Sequence, residues 1–483
     1  MRGVKLVIYA CRRSGRREFV MYYHAKDFFP LMKDRKIDVI GFGVSNSELL
    51  FRLVQSGAQV TLHDSRDADQ FRADQLERLK KAHVELSLGP NYLEDLNGEI
   101  VFRTPGLPFT TAQLARAHER GKIVTSELEV FMQLCPCPIY GVTGSDGKTT
   151  TSSILAEMLR RSGKTVHLGG NIGKPLLPIL DLISENDLCV VELSSFQLLS
   201  MRCSPDVAVV TNISPNHLDV HKDMAEYVGA KRNIVRHQSA FSRAVLSADS
   251  TGAEAFMDEV RGQLSFFSRQ RPVQNGAWMD GKGDIYHSVS GRAVFLMNRS
   301  EIKLPGLHNV ENVLAAVSAA WGVVTPKQIC DAARTFGGVE HRIEFVRLKD
   351  GVRWYNDSIA TSPTRTVAGL MSFEEKLILI AGGYDKKIPF EPLVRPVLNH
   401  VRLLILTGHT ADKIEQAVTG ADGFKVSGLQ ILHAKDLADA VALANEHARF
   451  GDVVTLSPAC ASFDAFSNFE ERGNYYKKLV NAL

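Results

Sequence analysis

A strand, a glycine-rich turn and a helix follow one another three times along the chain, and this alternation constrains the fold more than any other feature. The first copy begins at Ile37, the second at Pro138 and the third near Gly338. Alternating strands and helices are typical of α/β domains whose sheets are mainly parallel. Because a domain has roughly 100–200 residues, the 483 residues of this chain suffice for several such units.

We predict an α/β fold with three domains, whose boundaries lie where one strand–helix pattern stops and the next starts. A Rossmann-like N-terminal domain covers residues 36–126, a central P-loop ATPase-like domain 127–338, and a Rossmann-like C-terminal domain 339–483. Residues 1–35 form an N-terminal extension. Arginines crowd its first half and no apolar segment follows, so we expect a disordered segment or an upstream start rather than a secretion signal.

Composition and charge exclude several classes of protein. A net charge of +3 is too small for this length to indicate nucleic-acid binding, and no apolar run reaches the roughly 18–20 residues that span a bilayer. Seven scattered cysteines fit reduced thiols in the cytoplasm better than a disulfide framework. Two cysteines separated by one proline, Cys135 and Cys137, could coordinate a metal ion. No second Cys or His pair has the spacing of a zinc site, so we assign this segment a structural role.

The first glycine-rich turn, Gly41-Phe42-Gly43-Val44-Ser45-Asn46, lies between a strand and a helix. Its glycines allow backbone amides to approach a phosphate at the helix N-terminus. The third glycine of the dinucleotide fingerprint is absent, so NAD and a nucleotide-sugar diphosphate both fit. Asp64 closes the next strand and Thr104-Pro105-Gly106 follows a later one, at the kind of strand end where ligands gather in open α/β sheets.

The second turn is a phosphate-binding loop. Gly144, Gly147, Lys148 and Thr149 follow a strand and open a long helix. In such loops the glycines let backbone amides wrap phosphate oxygens, the lysine reaches the outer phosphates and the threonine hydroxyl ligates Mg²⁺. The loop is a variant, because Val142 stands where the common pattern has its first glycine.

Polar residues at later strand ends extend this site. Asn171 lies in a glycine turn, Glu192 ends an apolar strand, His217 follows another strand, and Lys231 lies in a helical segment. Alone, each is more simply a cap, a structural histidine or a solvated lysine. Together, and in this order after a phosphate loop, they indicate metal-assisted phosphoryl transfer.

Ordered motifs from about residue 36 to the C-terminus resemble the Mur ligase family, and within it the D-glutamate-adding branch. The segments that carry the resemblance are TGSDGKTTT, GGNIG, VELSSFQL, NISPNHLDVH, AKRNIV, LPGLHNVENVLAA, EHRIEF, NDSIATSPT, GGYDKK and SPACASFDAFSNFEERG. The last segment lies where the diaminopimelate- or lysine-adding branch would have Asp-Asn-Pro-Arg, which is absent here.

The resemblance implies an ATP-dependent amide-bond ligase of peptidoglycan precursor synthesis. ATP would phosphorylate the carboxylate of UDP-N-acetylmuramoyl-L-alanine, and the amine of D-glutamate would then attack the acyl phosphate. Family roles place Lys148 at the outer phosphates, Thr149 at a first Mg²⁺, and Glu192 and His217 at a second Mg²⁺. Lys231 would be carbamylated by CO₂, which turns a cation into an oxygen ligand for magnesium.

The resemblance also assigns residues to three ligands. The ATP set is Gly144, Ser145, Asp146, Gly147, Lys148, Thr149, Thr150, Asn171, Asn309, Asn312, Arg342 and Asp357. The UDP-substrate set is Val44, Ser45, Asn46, Asp64, Ser65, Arg66, Thr104, Pro105, Gly106 and His217. The D-glutamate set is Thr361, Lys386, Ser462 and Phe469, the last through its backbone. Besides these small molecules we expect no nucleic acid, no membrane span and a monomer.

One departure and three alternatives remain open. Ile359 stands where some family members have a lysine, so a charged contact is lost or supplied elsewhere. Another amide ligase, such as a different Mur ligase or a folylpolyglutamate synthase, would share the central domain. A P-loop nucleotide switch would explain Lys148 and Thr149 but not Glu192 or Lys231. An NAD oxidoreductase would leave the phosphate loop without a role.

Overall fold

The computed structural model describes residues 25–214, 221–373, 375–386 and 388–483, together with the backbone of two N-terminal strands. These strands, β1 (Leu6–Cys11) and β2 (Arg17–Tyr22), pair antiparallel. The chain divides into two compact units. The first unit comprises residues 1–301 and 310–334, and the second unit residues 302–309 and 335–483.

The first sheet has five parallel strands in the order β5-β4-β3-β6-β7. Phe28, Phe29 and Met32 are buried against its core, so this part of the predicted extension is folded. The strands and the helices that connect them are β3 (Lys36–Ile40), α1 (Val44–Gln55), β4 (Gln59–Asp64), α2 (Ala73–Lys81), β5 (Glu85–Leu88), β6 (Ile100–Phe102), α3 (Ala112–Glu119) and β7 (Ile123–Thr125).

The central sheet has nine strands in the order β16-β15-β14-β13-β12-β11-β8-β10-β9. Its pairings are parallel from β9 to β14, and antiparallel between β14, β15 and β16. The elements of this region are α4 (Glu127–Leu134), β8 (Ile139–Thr143), α5 (Lys148–Arg160), β9 (Val166–Gly170), β10 (Leu188–Glu192), α6 (Ser195–Leu198), β11 (Val207–Val210), α7 (Met224–Arg236), β12 (Arg243–Ser247), β13 (Gln263–Ser268), β14 (Gly276–Met279), β15 (Asp284–Val289), β16 (Arg292–Asn298), α8 (Leu307–Ala320) and α9 (Pro326–Thr335).

The third sheet has six strands in the order β17-β18-β22-β19-β20-β21, parallel except where β17 meets β18. Its elements are β17 (Glu344–Lys349), β18 (Val352–Asn356), α10 (Pro363–Leu370), β19 (Leu377–Ala381), α11 (Glu391–His400), β20 (Val401–Leu406), α12 (Ala411–Thr419), α13 (Phe424–Ser427), β21 (Gln430–His433), α14 (Leu437–His447), β22 (Val453–Leu456) and α15 (Phe469–Ala482).

The prediction of an α/β fold with mainly parallel sheets is confirmed. Strands β8, β10 and β11 are buried along their whole length, which is the pattern of parallel strands covered on both faces. The last helix begins at Phe469, where Asn468 caps it by accepting a hydrogen bond from the Glu471 amide at 2.7 Å. Among the residues described, no helix is long and apolar enough to cross a membrane.

The order of the central sheet decides where its polar residues meet. Strands β11, β8, β10 and β9 are neighbours and run parallel. Their carboxyl ends therefore lie along one edge of the sheet. The phosphate loop, Glu192 and Asn171 follow β8, β10 and β9 at this edge, although up to about 50 residues of sequence separate them.

Candidate active site

The phosphate loop connects β8 to α5, and its two glycines have no room for a side chain. Gly144 and Gly147 have φ values of +149° and +77°. A Cβ on Gly144 would lie 1.9 Å from Thr211 Oγ1, and one on Gly147 would lie 2.3 Å from Asn312 Oδ1. Val142, where the common pattern has a glycine, is a fully buried residue of β8.

The lysine of the loop folds back over its own backbone. Lys148 Nζ donates to the carbonyl oxygens of Gly144 at 3.0 Å and Ser145 at 2.8 Å. Thr149 and Thr150 follow it in the first turn of α5, where backbone amides and the helix dipole favour an anion. The predicted phosphate-binding residues thus share one loop and one helix end.

Glu192 places a buried carboxylate beside this loop. The side chain is 1% exposed, and its Oε1 atom accepts a hydrogen bond from Asn171 Nδ2 at 2.8 Å. Its Oε2 atom is buried and has no hydrogen-bond partner among the described residues. A buried carboxylate oxygen without a partner is costly unless a cation or donor binds it. Oxygen donors are also what Mg²⁺ prefers, so Glu192 fits a magnesium ligand.

Lys231 is a buried lysine at the same strand edge. It is 2% exposed on α7, and its Nζ atom donates to Gly144 O at 2.8 Å and Thr143 Oγ1 at 3.3 Å. Burial and repulsion from Lys148 lower the pKa of Lys231 to about 7, against attraction from Glu192. The amine is therefore neutral in a large fraction of molecules near neutral pH, unlike a solvated lysine.

Three neighbours of the loop went unassigned from the sequence. Thr211 Oγ1 donates to Asp146 O at 2.6 Å, and the Asp146 amide donates to Asn212 Oδ1 at 3.0 Å. Tyr227 OH lies 2.9 Å from Ser145 Oγ. Asn212 opens the quoted segment NISPNHLDVH, which was the available signal for it. His217 lies outside the described residues, and its role stays a prediction.

The two asparagines predicted at the nucleotide belong to different units. Asn312, in the first unit, accepts from Thr151 Oγ1 at 3.2 Å and lies against Gly147. Asn309, in the second unit, donates to Pro305 O at 2.6 Å. The structure therefore brings Asn312 to the phosphate loop, and the nucleotide contact of Asn309 stays a prediction.

Asp64 and Arg66 form a compact ion pair at the end of β4. Asp64 Oδ1 accepts from Arg66 Nε at 2.9 Å, and Oδ2 accepts from Arg66 Nη2 and the Phe42 amide, both at 2.8 Å. Burial raises the pKa of Asp64, but these hydrogen bonds outweigh it and hold the pKa below its ordinary value. The pair ties β4 to the first glycine-rich turn, while Ser65 between them is exposed.

A small recess brings together residues of the predicted UDP-substrate set. It is lined by Ser45, Asn46 and Pro105, with Arg103 and Gln197 from outside that set. The Arg103 side chain is 2% exposed and donates to the Leu107 carbonyl at 3.0 Å, while its Nε atom has no partner among the described residues. A buried guanidinium suits an anionic ligand. Other members of the set border the turn, namely Val44 in the first turn of α1, Thr104 against Gly41, and Gly106 exposed.

In the second unit, Asp357 is a fully buried carboxyl group. Its Oδ2 atom accepts from Ser457 Oγ at 2.6 Å and its Oδ1 atom from the Ile343 amide at 3.2 Å. Burial raises the pKa of Asp357 to about 7, although Ser457 and the nearby Arg342 lower it. Arg342 Nε is buried without a hydrogen-bond partner among the described residues, which leaves this donor available to an anion.

The predicted D-glutamate residues lie around one cationic region of the second unit. Lys386 Nζ donates to Thr361 Oγ1 at 3.3 Å. Burial and repulsion from Arg365 and Arg472 lower the pKa of Lys386. Arg365, on α10, went unassigned from the sequence. Asp357 lies near Arg365 and Asp464 near Arg472, so the cluster of Arg365, Lys386 and Arg472 has more cations than carboxylates and favours an anionic ligand.

Arg472 joins the backbone segments that carry the other two predicted residues. It is 4% exposed and donates to the carbonyls of Ser358, Cys460 and Ala461 at 2.9, 3.1 and 3.0 Å. Ser358 Oγ in turn donates to the Phe469 carbonyl at 2.8 Å. Arg472 therefore holds the backbone just before Ser462. Ser462 itself is buried and lies several residues before the last helix.

The chain is similar to known Mur ligases along most of its length. The model of the Mur ligase middle domain matches residues 142–320, and the model of the Mur ligase glutamate ligase domain matches residues 341–460. The UDP-N-acetylmuramoylalanine–D-glutamate ligase of Acetivibrio thermocellus is 48% identical over 95% of this chain and 98% of its own length. The ligase of the same name from Clostridium kluyveri is 46% identical over 95% and 99%.

A solved structure shares the fold at low identity. The UDP-N-acetylmuramate-alanine ligase of Thermotoga maritima superimposes with a TM-score of 0.56 and 16% identity, over 93% of this chain and 99% of its own. The similarity predicted from the motifs is thereby confirmed at the level of sequence and of fold.

Proposed function

The chain belongs to the Mur ligase family, and we propose that it is an ATP-dependent ligase that adds D-glutamate to UDP-N-acetylmuramoyl-L-alanine in peptidoglycan precursor synthesis. The proposal is supported by the D-glutamate ligases that are 46–48% identical over nearly the whole chain. The structural observation that carries it is the strand edge where the phosphate loop, the buried Lys231 and the buried Glu192 meet.

The chemistry requires activation of a poor electrophile. Transfer of the terminal phosphoryl group of ATP converts the substrate carboxylate into an acyl phosphate, and the amine of D-glutamate attacks its carbonyl carbon. The tetrahedral intermediate then expels phosphate and leaves the amide. The protein contributes position and charge neutralisation, so the residues that matter are cations and amides held in fixed places.

Lys148 and the amides of Gly144 to Thr149 are proposed to hold the ATP phosphates. The Lys148 ammonium, which lies over the loop carbonyls, needs only to turn outward to meet a phosphate oxygen. Thr149 would hold one Mg²⁺, and Glu192, His217 and a carbamate on Lys231 a second. Bound Mg²⁺ would neutralise phosphate charge.

The proposed carbamate on Lys231 requires that its amine be neutral. A neutral amine attacks CO₂, forms an N–C bond and loses a proton, which leaves an anionic carbamate. The lowered pKa of Lys231, about 7, supplies that neutral amine. A carbamate would also replace the repulsion between Lys148 and Lys231 with attraction.

The two remaining substrates are assigned to the first glycine-rich turn and to the cationic region. The residues around Asp64 and Asn46 are proposed to bind the UDP moiety. Lys386 is proposed to pair with the side-chain carboxylate of D-glutamate, beside Thr361, Ser462 and the backbone of Phe469. Because ATP is a cosubstrate, we place the reaction in the cytoplasm, and we expect a monomer.

Phosphate release from ATP tests the proposal. The protein is incubated with UDP-N-acetylmuramoyl-L-alanine and, in turn, D-glutamate, L-glutamate, L-alanine, L-lysine or meso-diaminopimelate. Release with D-glutamate alone is expected. Release with another amino acid would support the assignment of the protein as a ligase and refute the proposed role of Lys386. If the folded protein binds ATP but releases phosphate with none of these amino acids, the proposed ligase activity is refuted.

The carbamate has its own test. Lys231→Ala is expected to lose most of the phosphate release and to recover part of it with added short-chain carboxylates, because a free carboxylate can occupy the position of the carbamate. Lys327→Ala, at an exposed lysine of α9, is the matched control. Full activity of Lys231→Ala without any addition would exclude a catalytic carbamate.

A further inference from the structure

Three cysteines from two separate segments of the sequence meet in the core of the first unit. Cys135 and Cys137 flank a proline between α4 and β8, and Cys189 lies in β10. Their Sγ atoms are 3.7 Å (Cys135–Cys137), 3.6 Å (Cys135–Cys189) and 3.5 Å (Cys137–Cys189) apart. The three residues are 4%, 1% and 0% exposed, respectively. Three thiols thus form a nearly equilateral triangle inside an apolar core.

The triangle fits a single three-coordinate atom. Each sulfur lies about 2.1 Å from the centre of the triangle, and bonds from sulfur to a bound ion are about 2.3 Å long for zinc thiolates. An atom bonded to all three sulfurs at that length would sit about 1 Å above their plane. Among the described residues no fourth His, Cys, Asp or Glu joins this group, so the arrangement favours a pyramidal centre with three sulfur ligands over a tetrahedral ion.

The net charge of the complex determines which element can bind to the three sulfurs. The hydrogen bond with Cys135, together with burial, raises the pKa of Cys137 to about 12, and hydrogen bonds to both neighbours with burial raise the pKa of Cys189. The thiols of Cys137 and Cys189 are therefore protonated at neutral pH. Monovalent copper or divalent zinc on three thiolates would leave net negative charge in the core, which is costly.

We propose that Cys135, Cys137 and Cys189 form a binding site for trivalent arsenic, taken up as neutral arsenous acid. Three As–S bonds form while three As–O bonds and three S–H bonds break, and three water molecules leave. No atom changes oxidation state. Neutral thiols and a neutral acid give a neutral product, so the low-dielectric core is not left with a charge.

The site is separate from the proposed ligase chemistry. Cys189 lies three residues before Glu192 on β10, about 10 Å along the strand. Cys137 precedes β8 while the phosphate loop follows it. The proposal therefore does not depend on the proposed function, and its test needs no turnover.

Native mass spectrometry of the full chain after exposure to arsenite and removal of the excess is the direct test. We expect one arsenic per chain, seen as the mass of one arsenic atom less three hydrogens. Arsenic that binds only the folded state also raises the midpoint of thermal unfolding. The mass gain also gives the thiol count, because arsenic held by only two sulfurs would keep one hydroxyl group and displace two hydrogens instead of three.

Single substitutions locate the site. Cys137→Ala and Cys189→Ala are expected to weaken arsenic retention by about tenfold or more, because each removes one of three linked ligands. Cys330→Ala, at another buried cysteine outside the triangle, should retain arsenic like the parent. No retained arsenic in the parent, or equal retention in Cys189→Ala, would overturn the proposal. If a variant does not fold, the thiol count on the parent decides alone.

Discussion

The phosphate loop and the cationic region around Arg472 both sit at strand ends, yet they are held together differently. In the phosphate loop, Lys148 contacts backbone atoms only three and four residues away. Arg472 instead reaches Ser358, 114 residues earlier, and the carbonyls of Cys460 and Ala461. Side chains of several distant residues, Thr211, Asn212 and Tyr227, also contact the phosphate loop, whereas a single buried arginine joins the segments of the cationic region.

This difference has consequences for what each region tolerates. A loop held by several separate contacts depends on glycine geometry and close neighbours, so a single change there should affect function with little effect on global stability. A region joined by one buried guanidinium should lose stability and substrate binding together, because its carbonyls lose their donor. Three substitutions test the comparison, from the largest expected effect to the smallest, and two more then compare buried carboxyl groups of the two units.

Lys148→Ala should lower phosphate release by about 10³-fold, because one positioned cation is lost where phosphate charge must be neutralised. The unfolding midpoint should change little. Lys164→Ala, at an exposed lysine beyond the end of α5, is the control and should keep full activity. Near-normal turnover of Lys148→Ala would remove the phosphate loop from the proposed mechanism.

Gly147→Ala should lower phosphate release by about 10²-fold, because its Cβ would lie 2.3 Å from Asn312 Oδ1 and displace the loop. Gly163→Ala is the matched control, since Gly163 also has a positive φ, +82°, but nothing lies within 4 Å of its Cβ position. Both variants should lose about 1 kcal/mol through the left-handed backbone. Equal activity losses would show that backbone strain, and not the contact, is responsible.

Arg472→Met should lower the free energy of unfolding by about 3 kcal/mol, because buried carbonyls are left without donors. It should also raise the KM for D-glutamate, since Ser462 and Phe469 lie on the segments that Arg472 joins. Urea unfolding and initial rates measure the two effects. Arg395→Met, at an exposed arginine of α11, should change neither. A stable Arg472→Met with ordinary KM would contradict the contrast between the two regions.

Glu127→Gln should change how stability depends on pH. Burial raises the pKa of Glu127 to about 7, from the ordinary 4.5, although the Leu177 amide donates to it. Between these values the folded state binds more protons than the unfolded state, so stability falls as pH rises. Relative to Glu127→Gln, the parent should lose at most about 3 kcal/mol over this interval. A difference that stays constant from pH 4.5 to 7 would refute the raised pKa.

Asp357 offers the same test in the second unit. Its pKa is also raised to about 7 by burial, so Asp357→Asn should show the same direction of pH dependence. A pH dependence in one variant only would show that the two buried carboxyl groups are solvated differently.

Much of the fold could be predicted from the sequence because its signals are local. Apolar strands, glycine turns and helix starts predicted β3, β8 and the start of α5 within a few residues. Packing of Phe28, Phe29 and Met32 was missed, since a short apolar cluster without periodicity gives no strand or helix signal.

Some residues of the candidate site could likewise be predicted from the sequence, and others could not. Lys148 and Glu192 were predictable because each lies at a recognisable strand end. Thr211, Arg103 and Arg472 were not, because an isolated threonine or arginine in a sequence does not reveal which distant carbonyl it will meet. The pairing of Cys137 with Cys189 was likewise invisible, and Cys135-Pro136-Cys137 was assigned a structural role for lack of that third thiol.

The sequence by itself determined the alternation of strands and helices, the phosphate loop and the family, since these depend on short-range patterns and ordered motifs. Only the tertiary structure decided that Glu192 keeps a buried oxygen without a partner, that Lys231 lies 2.8 Å from the loop, and that three thiols meet. The physical reason is that burial and desolvation depend on neighbours from the whole chain, and these set the charge state of a buried group.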